Sequence, residues 1–121
     1  MKEIKRVYIA GKLSDSGNTE RSPSKVVCSY IQNLSEMCAC ADTVKMNGYA
    51  PYVPGLDFLM GITAGYWEER DYRRLSMAFL EVCDAVLVIS ESKGVEAEIK
   101  RAKELGIPVC YTVGELAELE G

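Results

Sequence analysis

The sequence predicts a three-layer α/β fold in which one parallel sheet is covered by helices on both faces. Short apolar, β-branched runs alternate along the chain with longer segments of helical periodicity, and this alternation is typical of βαβ units. The run 85–89 is apolar throughout, as expected of a central parallel strand that is buried on both faces. A length of 121 residues fits a single domain, residues 1–121, with one core.

The first part of the chain predicts a strand, a loop and a long helix. Residues 6–10 form a short β-branched apolar run. The polar stretch 12–23 predicts a loop, and loops of this length in compact domains are usually functional or mobile. Over residues 24–47 apolar side chains recur at steps of three and four, which predicts an amphipathic helix with Val27 and Ile31 on its apolar face.

The middle part predicts an edge strand followed by two helices. Residues 49–53 resemble a strand, and Pro51 within them favours an edge position, because proline cannot donate a hydrogen bond to a neighbouring strand. A short helix is predicted over 56–62 and a longer one over 66–83. The apolar face of the longer helix is predicted to contain Trp67, Leu75, Ala78 and Val82.

The last part continues the alternation, with the strand 85–89, a helix over 94–105, a strand over 107–111 and an acidic helix over 115–120. Right-handed crossovers then give a flavodoxin- or Rossmann-like sheet of four to five strands in the order 2-1-3-4. The first and third strands are neighbours in that order. The crevice between their carboxyl ends is where such sheets bind ligands.

Charge and hydropathy exclude several classes of function. The formal net charge is −4, whereas a surface for polymeric nucleic acid needs a basic patch, so no nucleic-acid partner is expected. No apolar run approaches the length that spans a bilayer, and no signal-peptide pattern opens the chain. We therefore expect a cytoplasmic protein without a membrane partner.

The residue types available for chemistry are restricted. The chain contains no histidine, which excludes histidine-based zinc sites and Ser-His or Cys-His nucleophile pairs. It has five cysteines, and this odd number argues against a disulfide framework. We interpret the cysteines as small buried side chains. We expect no metal and no cofactor, so any chemistry must depend on carboxylate, tyrosine, lysine, serine or cysteine side chains.

Glu98 is the first of two carboxylates that the helical periodicity places near the core. It follows Val95 by three residues and precedes Ala102 by four, which puts it at the inner edge of their apolar stripe. Glu96 points away from that stripe. The alternative for Glu98 is an exposed position at the margin of the stripe.

Asp71 is the second carboxylate. It lies four residues from both Trp67 and Leu75 and therefore shares their predicted buried face. A buried carboxylate is costly unless it has a partner. The alternatives are a helix-capping role or an ion pair with one of three neighbouring arginines, Arg70, Arg73 and Arg74.

The turn between the third strand and the next helix could hold an anion. Ser90, Ser92 and Lys93 lie beside the free backbone N–H groups of a helix N-terminus. This turn lacks the Walker A pattern, and the segment after Gly11 lacks the glycines of the dinucleotide fingerprint. The alternative is plain helix capping by Ser92.

These features together resemble the nucleoside 2-deoxyribosyltransferase-like superfamily, which includes the deoxynucleoside-monophosphate N-glycosidases and small bacterial and phage proteins. Residues 7–11 resemble its opening strand. Asp71, with residues 83–86 after it, is similar to the superfamily's helix that carries an acidic residue before the third strand. Residues 92–99 resemble the signature that ends in the catalytic glutamate. The resemblance covers 5–112. Lys12 departs from it, since many members have a small residue or proline there.

The resemblance implies an N-glycosidase or 2-deoxyribosyltransferase acting on a nucleoside or nucleotide. Glu98 would attack the anomeric carbon, Asp71 would assist protonation of the leaving base, and Tyr8, otherwise a core residue, would hydrogen-bond Glu98. A non-catalytic nucleotide-binding protein of the same fold, a sensor or a sequestering protein, is the alternative, and a purely structural protein is a third. The implied substrate-binding residues are Gly11, Lys12, Ser90, Ser92, Lys93 and Gly94.

Members of this superfamily usually assemble, so a homo-oligomer, a dimer or larger, is expected. Phe58, Tyr66 and Trp67 in the middle segment are candidates for the interface. In the transferases a C-terminal segment of a neighbouring subunit completes the sugar site, and the tail of this chain does not match that segment.

Overall fold

The protein is described by a computed structural model that covers residues 3–13 and 22–120. The predicted α/β fold is confirmed, with a four-stranded parallel sheet in the order β2-β1-β3-β4. The elements in chain order are β1 (Arg6–Ala10), α1 (Pro23–Met46), β2 (Ala50–Tyr52), a 3-10 helix (Pro54–Asp57), α2 (Phe58–Ala64), α3 (Glu69–Leu80), β3 (Ala85–Val88), α4 (Lys93–Glu104), β4 (Val109–Cys110) and α5 (Val113–Glu120).

The central strands β1 and β3 set the geometry of the site. They pair in parallel, with Ala10 opposite Val88 at their carboxyl ends. The edge strand β2 pairs with β1 through Tyr52 opposite Tyr8. The edge position that Pro51 predicted for β2 is confirmed. Most of the loop predicted over 12–23 lies outside the described residues.

Each face of the sheet is covered by its own pair of helices. Alternate residues of β1 and β3 point to opposite faces, because side chains alternate along a strand. One face, which includes Val7, packs against α1 and α5 around Met37, Val44 and Leu116. The other face, which includes Tyr8, packs against α3 and α4 around Leu80, Val95 and Ala102. Tyr8 is thereby directed toward the helix that carries Glu98.

The apolar face predicted for the long helix is wrong in its first half. Val27 and Ile31 of α1 are each 56% exposed, whereas Met37 and Val44 are fully buried. The sheet is short, so only the second half of α1 lies over it. None of the described helices, α1 included, is both long and apolar enough to cross a membrane.

Helix α3 differs from its prediction in both extent and phase. It spans Glu69–Leu80 rather than 66–83. Leu80 is its fully buried residue, while Ala78, Phe79 and the following Val82 are exposed. Because several apolar residues of this segment face outward, hydrophobic periodicity assigned the wrong side of the helix to the core.

Candidate active site

A cavity of about 490 Å³ opens at the carboxyl ends of β1 and β3. Its walls come from the segments that follow these strands, from the first turns of α4 and from one side of α3. This is the position in which open parallel sheets bind ligands. We call it the Glu98 cavity, and its lining residues are Gly11, Leu13, Pro54, Glu69, Arg73, Ser76, Met77, Ser92, Lys93, Gly94, Val95 and Glu98.

The Glu98 carboxylate is partly buried in this cavity, and its partner is the Tyr8 hydroxyl. Tyr8 is fully buried in β1, and its hydroxyl donates a hydrogen bond to Oε2 of Glu98. Burial raises the pKa of Glu98 to about 7, against opposing effects of the Tyr8 hydrogen bond and the positive charge of Arg73. A carboxyl group with a pKa near neutrality can serve either as a nucleophile or as an acid.

Tyr8 remains a hydrogen-bond donor at neutral pH. Burial raises its pKa strongly, and the neighbouring charge of Glu98 raises it further. A hydrogen bond with the Ser76 hydroxyl acts in the opposite direction and lowers the pKa of Tyr8. The packing around β1 therefore holds a neutral phenol against a carboxylate, which fixes the orientation of Glu98.

Helix α3 reaches the cavity with Glu69, Arg73 and Ser76. Arg73 pairs with Glu69 at 2.9 Å across one turn of the helix, and both side chains are largely exposed. These three residues were not predicted as site residues from the sequence. Their spacing is that of one helical face, and Leu80, four residues after Ser76, is the buried residue that identifies this face as the inner one.

Asp71 does not line the Glu98 cavity. Its carboxylate accepts a hydrogen bond of 2.7 Å from the Glu68 backbone N–H, and the Glu68 side chain accepts one from the Asp71 backbone N–H. This reciprocal arrangement is a capping box at the start of α3. The prediction that Asp71 shares the buried face of the helix is corrected, because α3 begins at Glu69 and its inner face is offset. The capping alternative describes the observed contact.

The N-terminus of α4 forms one side of the cavity. The Ser92 side chain accepts a hydrogen bond of 3.2 Å from the Val95 backbone N–H and so caps the helix. Lys93 and Gly94 follow it in the cavity wall. Free N–H groups at such a position favour a phosphate or carboxylate ligand.

One hydrogen bond connects the segments that follow β1 and β3. The Lys12 backbone N–H donates to the Ser90 hydroxyl oxygen at 2.8 Å. Gly11, immediately before it, lines the cavity. The predicted binding residues thus divide into two groups. Gly11, Ser92, Lys93 and Gly94 lie in the wall, whereas Ser90 and the Lys12 backbone connect the two segments behind it.

The described part of the chain contains no group of three or more potential metal ligands among its cysteine, aspartate and glutamate side chains. The cavity presents the partly buried carboxylate of Glu98, which accepts a hydrogen bond from Tyr8 behind it, and a helix N-terminus. Comparison with curated proteins finds no significant match. Residues 5–112 match the family described as a domain of unknown function, DUF7768. Since this match covers most of the sequence, the chain belongs to the DUF7768 family.

Proposed function

We propose that the protein cleaves the N-glycosidic bond of a nucleoside or nucleotide, as an N-glycosidase or a 2-deoxyribosyltransferase. The observation that carries the proposal is the Glu98 carboxylate, which Tyr8 orients in a cavity at the carboxyl ends of the central strands. Without histidine, the chain needs a nucleophile whose reactivity does not depend on an imidazole base. A carboxylate meets this requirement.

In the proposed reaction, a Glu98 carboxylate oxygen attacks the anomeric carbon and forms a glycosyl ester. The N-glycosidic bond breaks, its electron pair goes to the base, and the base takes up a proton. Water or a second base then attacks the same carbon and releases Glu98. This is the two-step logic of retaining glycoside cleavage, with an oxocarbenium-like transition state.

The hydrogen bond from Tyr8 supports the first step. A nucleophilic carboxylate must be ionised, and burial opposes ionisation. The Tyr8 hydroxyl and the positive charge of Arg73 both lower the pKa of Glu98 and so increase its ionised fraction. Asp71 is proposed to assist departure of the base. For this, its carboxylate must first give up the hydrogen bond that it accepts from the Glu68 backbone N–H.

The N-terminus of α4 supports a 5′-monophosphate as the preferred substrate. Ser92, Lys93 and Gly94 line the cavity together with Glu98, so a phosphate bound there would lie in the same cavity as the nucleophile. The partial positive charge of the helix N-terminus and the ammonium of Lys93 favour an anion. Gly11, Lys12 and Ser90 are proposed to shape the opposite wall.

A nucleotide-binding protein without catalytic activity is the second candidate. It is favoured by the capping role of Asp71, which does not line the cavity. Glu69, the carboxylate that α3 does present to the cavity, is largely exposed and paired with Arg73. A cavity of this kind can retain affinity for a nucleotide after its acid catalyst is lost.

The test is release of free base. The protein is incubated with a panel of nucleosides, deoxynucleosides and their 5′-monophosphates, and bases are separated by chromatography. We expect release by the wild-type protein and by Glu96→Gln, whose residue is exposed, but not by Glu98→Gln. Equal release by wild type and Glu98→Gln would refute the proposal. Stabilisation by nucleotides that remain intact would support the binding protein instead.

We also propose a homo-oligomer in the cytoplasm. The segment that contains Phe58 and Tyr66 exposes both aromatic rings, while Trp67 beside them is half-buried. All five cysteines are free thiols, which suits a reducing compartment.

A further inference from the structure

A second, smaller pocket adjoins the Glu98 cavity. It has a volume of about 340 Å³, and three of its lining residues also line the Glu98 cavity, so the two spaces share part of a wall. The shared residues are Leu13, Pro54 and Glu69. Its other lining residues are Tyr30, Asp57, Phe58 and Tyr72, and we call it the aromatic pocket.

Three aromatic rings from three helices surround this pocket. The ring centroids of Tyr30 and Phe58 are 4.7 Å apart, and those of Phe58 and Tyr72 are 6.1 Å apart. The Tyr30 hydroxyl donates to the Gly55 carbonyl oxygen at 3.2 Å, and the Tyr72 hydroxyl occupies the space that a Cβ on Gly61 would need. These contacts fix the rings, which leaves an apolar recess suited to a planar ligand.

Asp57 lies in the wall of this recess and lacks a hydrogen-bond partner for one carboxylate oxygen. The residue is only 9% exposed, and its buried Oδ2 has no partner among the described residues. Burial raises the pKa of Asp57 to about 6, against the opposing effect of a hydrogen bond from its own backbone N–H. Buried polar atoms without a partner are rare and costly, so this oxygen is a candidate acceptor for a hydrogen-bond donor on a bound ligand.

We propose that the aromatic pocket binds the base of the nucleoside or nucleotide and that Asp57 accepts a hydrogen bond from an exocyclic amino group of that base. The proposal rests on the proposed function for the substrate class, and it adds a specificity. An ionised carboxylate attracts an amino donor and repels carbonyl oxygens. The N–H of uracil and thymine lies between two carbonyl groups, so adenine, cytosine and guanine fit Asp57 better.

The connection to the Glu98 cavity agrees with this assignment. Glu98 must reach the anomeric carbon, which is bonded directly to the base. A sugar in the Glu98 cavity would therefore direct its base toward a neighbouring space that shares a wall with it, and the aromatic pocket shares the wall formed by Leu13, Pro54 and Glu69.

The experiment uses the single tryptophan of the chain as a reporter. The centroid of the Trp67 ring is 5.2 Å from that of Tyr72, so a ligand in the aromatic pocket changes its fluorescence. Glu98→Gln protein, which leaves ligands intact, is titrated with adenosine, with purine riboside, which lacks only the amino group, and with uridine. Loss of one hydrogen bond to a charged group weakens binding by about tenfold or more.

We expect adenosine to bind at least about tenfold more tightly than purine riboside or uridine. Adding Asp57→Ala should remove this preference because it removes the acceptor, whereas adding Asp42→Ala, at an exposed position of α1, should retain it. Equal affinities for adenosine and purine riboside, no binding of any nucleoside, or an unchanged preference in Asp57→Ala would each overturn the inference. If base release depends on Glu98 but adenosine and purine riboside bind equally well, the inference about Asp57 is overturned and the proposed function stands. If adenosine binds more tightly than purine riboside but the wild-type protein releases no base, the proposed function is overturned and the inference about the pocket stands.

Discussion

The Tyr8 hydroxyl donates a hydrogen bond to the carboxylate of Glu98, although 90 positions separate the two residues in the chain. The parallel pairing of β1 and β3, and the start of α4 a few residues after β3, bring them together. The bond joins a fully buried phenol to a carboxylate with a raised pKa. The following predictions depend on this pair and on the groups around it.

Replacement of Tyr8 by phenylalanine should raise the pKa of Glu98 above about 7, because the hydrogen bond from Tyr8 lowers it. We expect a rise of roughly one unit, the equivalent of one hydrogen bond to a charged group. Carbon NMR of the labelled Glu98 carboxyl group measures the pKa directly. The pH at which base release reaches half its maximum should move upward with it.

Tyr49→Phe is the matched control for this prediction. Tyr49 also donates to a glutamate, Glu120, at 2.7 Å, but it packs in the core cluster on the opposite face of the sheet. Its replacement should leave the pKa of Glu98 unchanged. If Tyr8→Phe also left that pKa unchanged, the hydrogen bond would not govern the ionisation of Glu98.

Replacement of Glu98 by glutamine should stabilise the protein at neutral and alkaline pH. The pKa of Glu98 is about 7 in the folded chain against an ordinary 4.5, so the folded state holds more protons than the unfolded state between these values. Wild-type stability therefore falls as pH rises through this window, and glutamine avoids the loss. The free energy of unfolding of Glu98→Gln should exceed that of the wild type by roughly 2–4 kcal/mol at about pH 8.

The measurement is denaturant unfolding across pH. The difference in free energy of unfolding between Glu98→Gln and wild type should shrink toward zero near about pH 4, where the wild-type carboxyl is largely protonated in both the folded and the unfolded state. Glu96→Gln, at an exposed position on the same helix, should show no such pH-dependent gain. A pH-independent difference for Glu98→Gln would mean that Glu98 is not a desolvated carboxyl group.

Substitutions of Ser92 should separate helix capping from phosphate binding. Ser92→Ala removes the cap acceptor for the Val95 N–H and should lower the free energy of unfolding by about 1 kcal/mol. Ser92→Asp restores a cap acceptor, so stability should return. Its negative charge should nevertheless reduce kcat/KM for a 5′-monophosphate by about tenfold or more through repulsion of the phosphate.

The nucleoside without phosphate serves as the control substrate, because Ser92→Asp should reduce its kcat/KM far less. Equal losses for the nucleoside and the monophosphate would place the phosphate away from the N-terminus of α4.

Gly11→Ala should destabilise the segment after β1. A Cβ at this position would lie 2.9 Å from Cγ1 of Ile89 and 3.1 Å from Cγ of Met37, which is closer than carbon atoms normally pack. We expect a loss of about 1–3 kcal/mol in denaturant unfolding, as for other overpacked sites. At Gly114, near the start of α5, a Cβ would lie 3.8 Å from Oγ1 of Thr112, an ordinary contact distance, so Gly114→Ala should be neutral or slightly stabilising. Similar effects of the two substitutions would contradict the close approach at Gly11.

The sheet and the position of Glu98 were predictable because their signals are local. The apolar run of β3, the serine and glycine turn after it and the spacing of Val95 and Ala102 all lie within one short segment. In the structure Val95 and Ala102 are buried, Glu98 is partly buried beside them, and Glu96 is exposed.

The inner face of α3 was not predictable from periodicity, because apolar residues of that segment remain exposed. The prediction counted Ala78 and Val82 as inward residues, but both are exposed, so the helix was rotated in the prediction. Arg73 and Ser76 were missed for the same reason. Asp71 was predicted on the buried face, with helix capping as the alternative, and its carboxylate caps the helix.

The aromatic pocket was not predictable because no local pattern encodes it. Its rings come from α1, α2 and α3, and their approach depends on how three helices pack around the 3-10 helix. Asp57 appears in the sequence as one more acidic residue near a turn. Only its burial and its unpartnered oxygen distinguish it.

Trapping of a glycosyl-enzyme tests the central claim most directly. A fluorine at the 2′ position of the nucleotide destabilises the oxocarbenium-like transition state and slows hydrolysis of the intermediate. Mass spectrometry of the digested protein should then find the sugar attached to the peptide that contains Glu98, and the adduct should be absent from Glu98→Gln. Base release without an adduct, or an adduct on another residue, would contradict the assignment of Glu98 as the nucleophile.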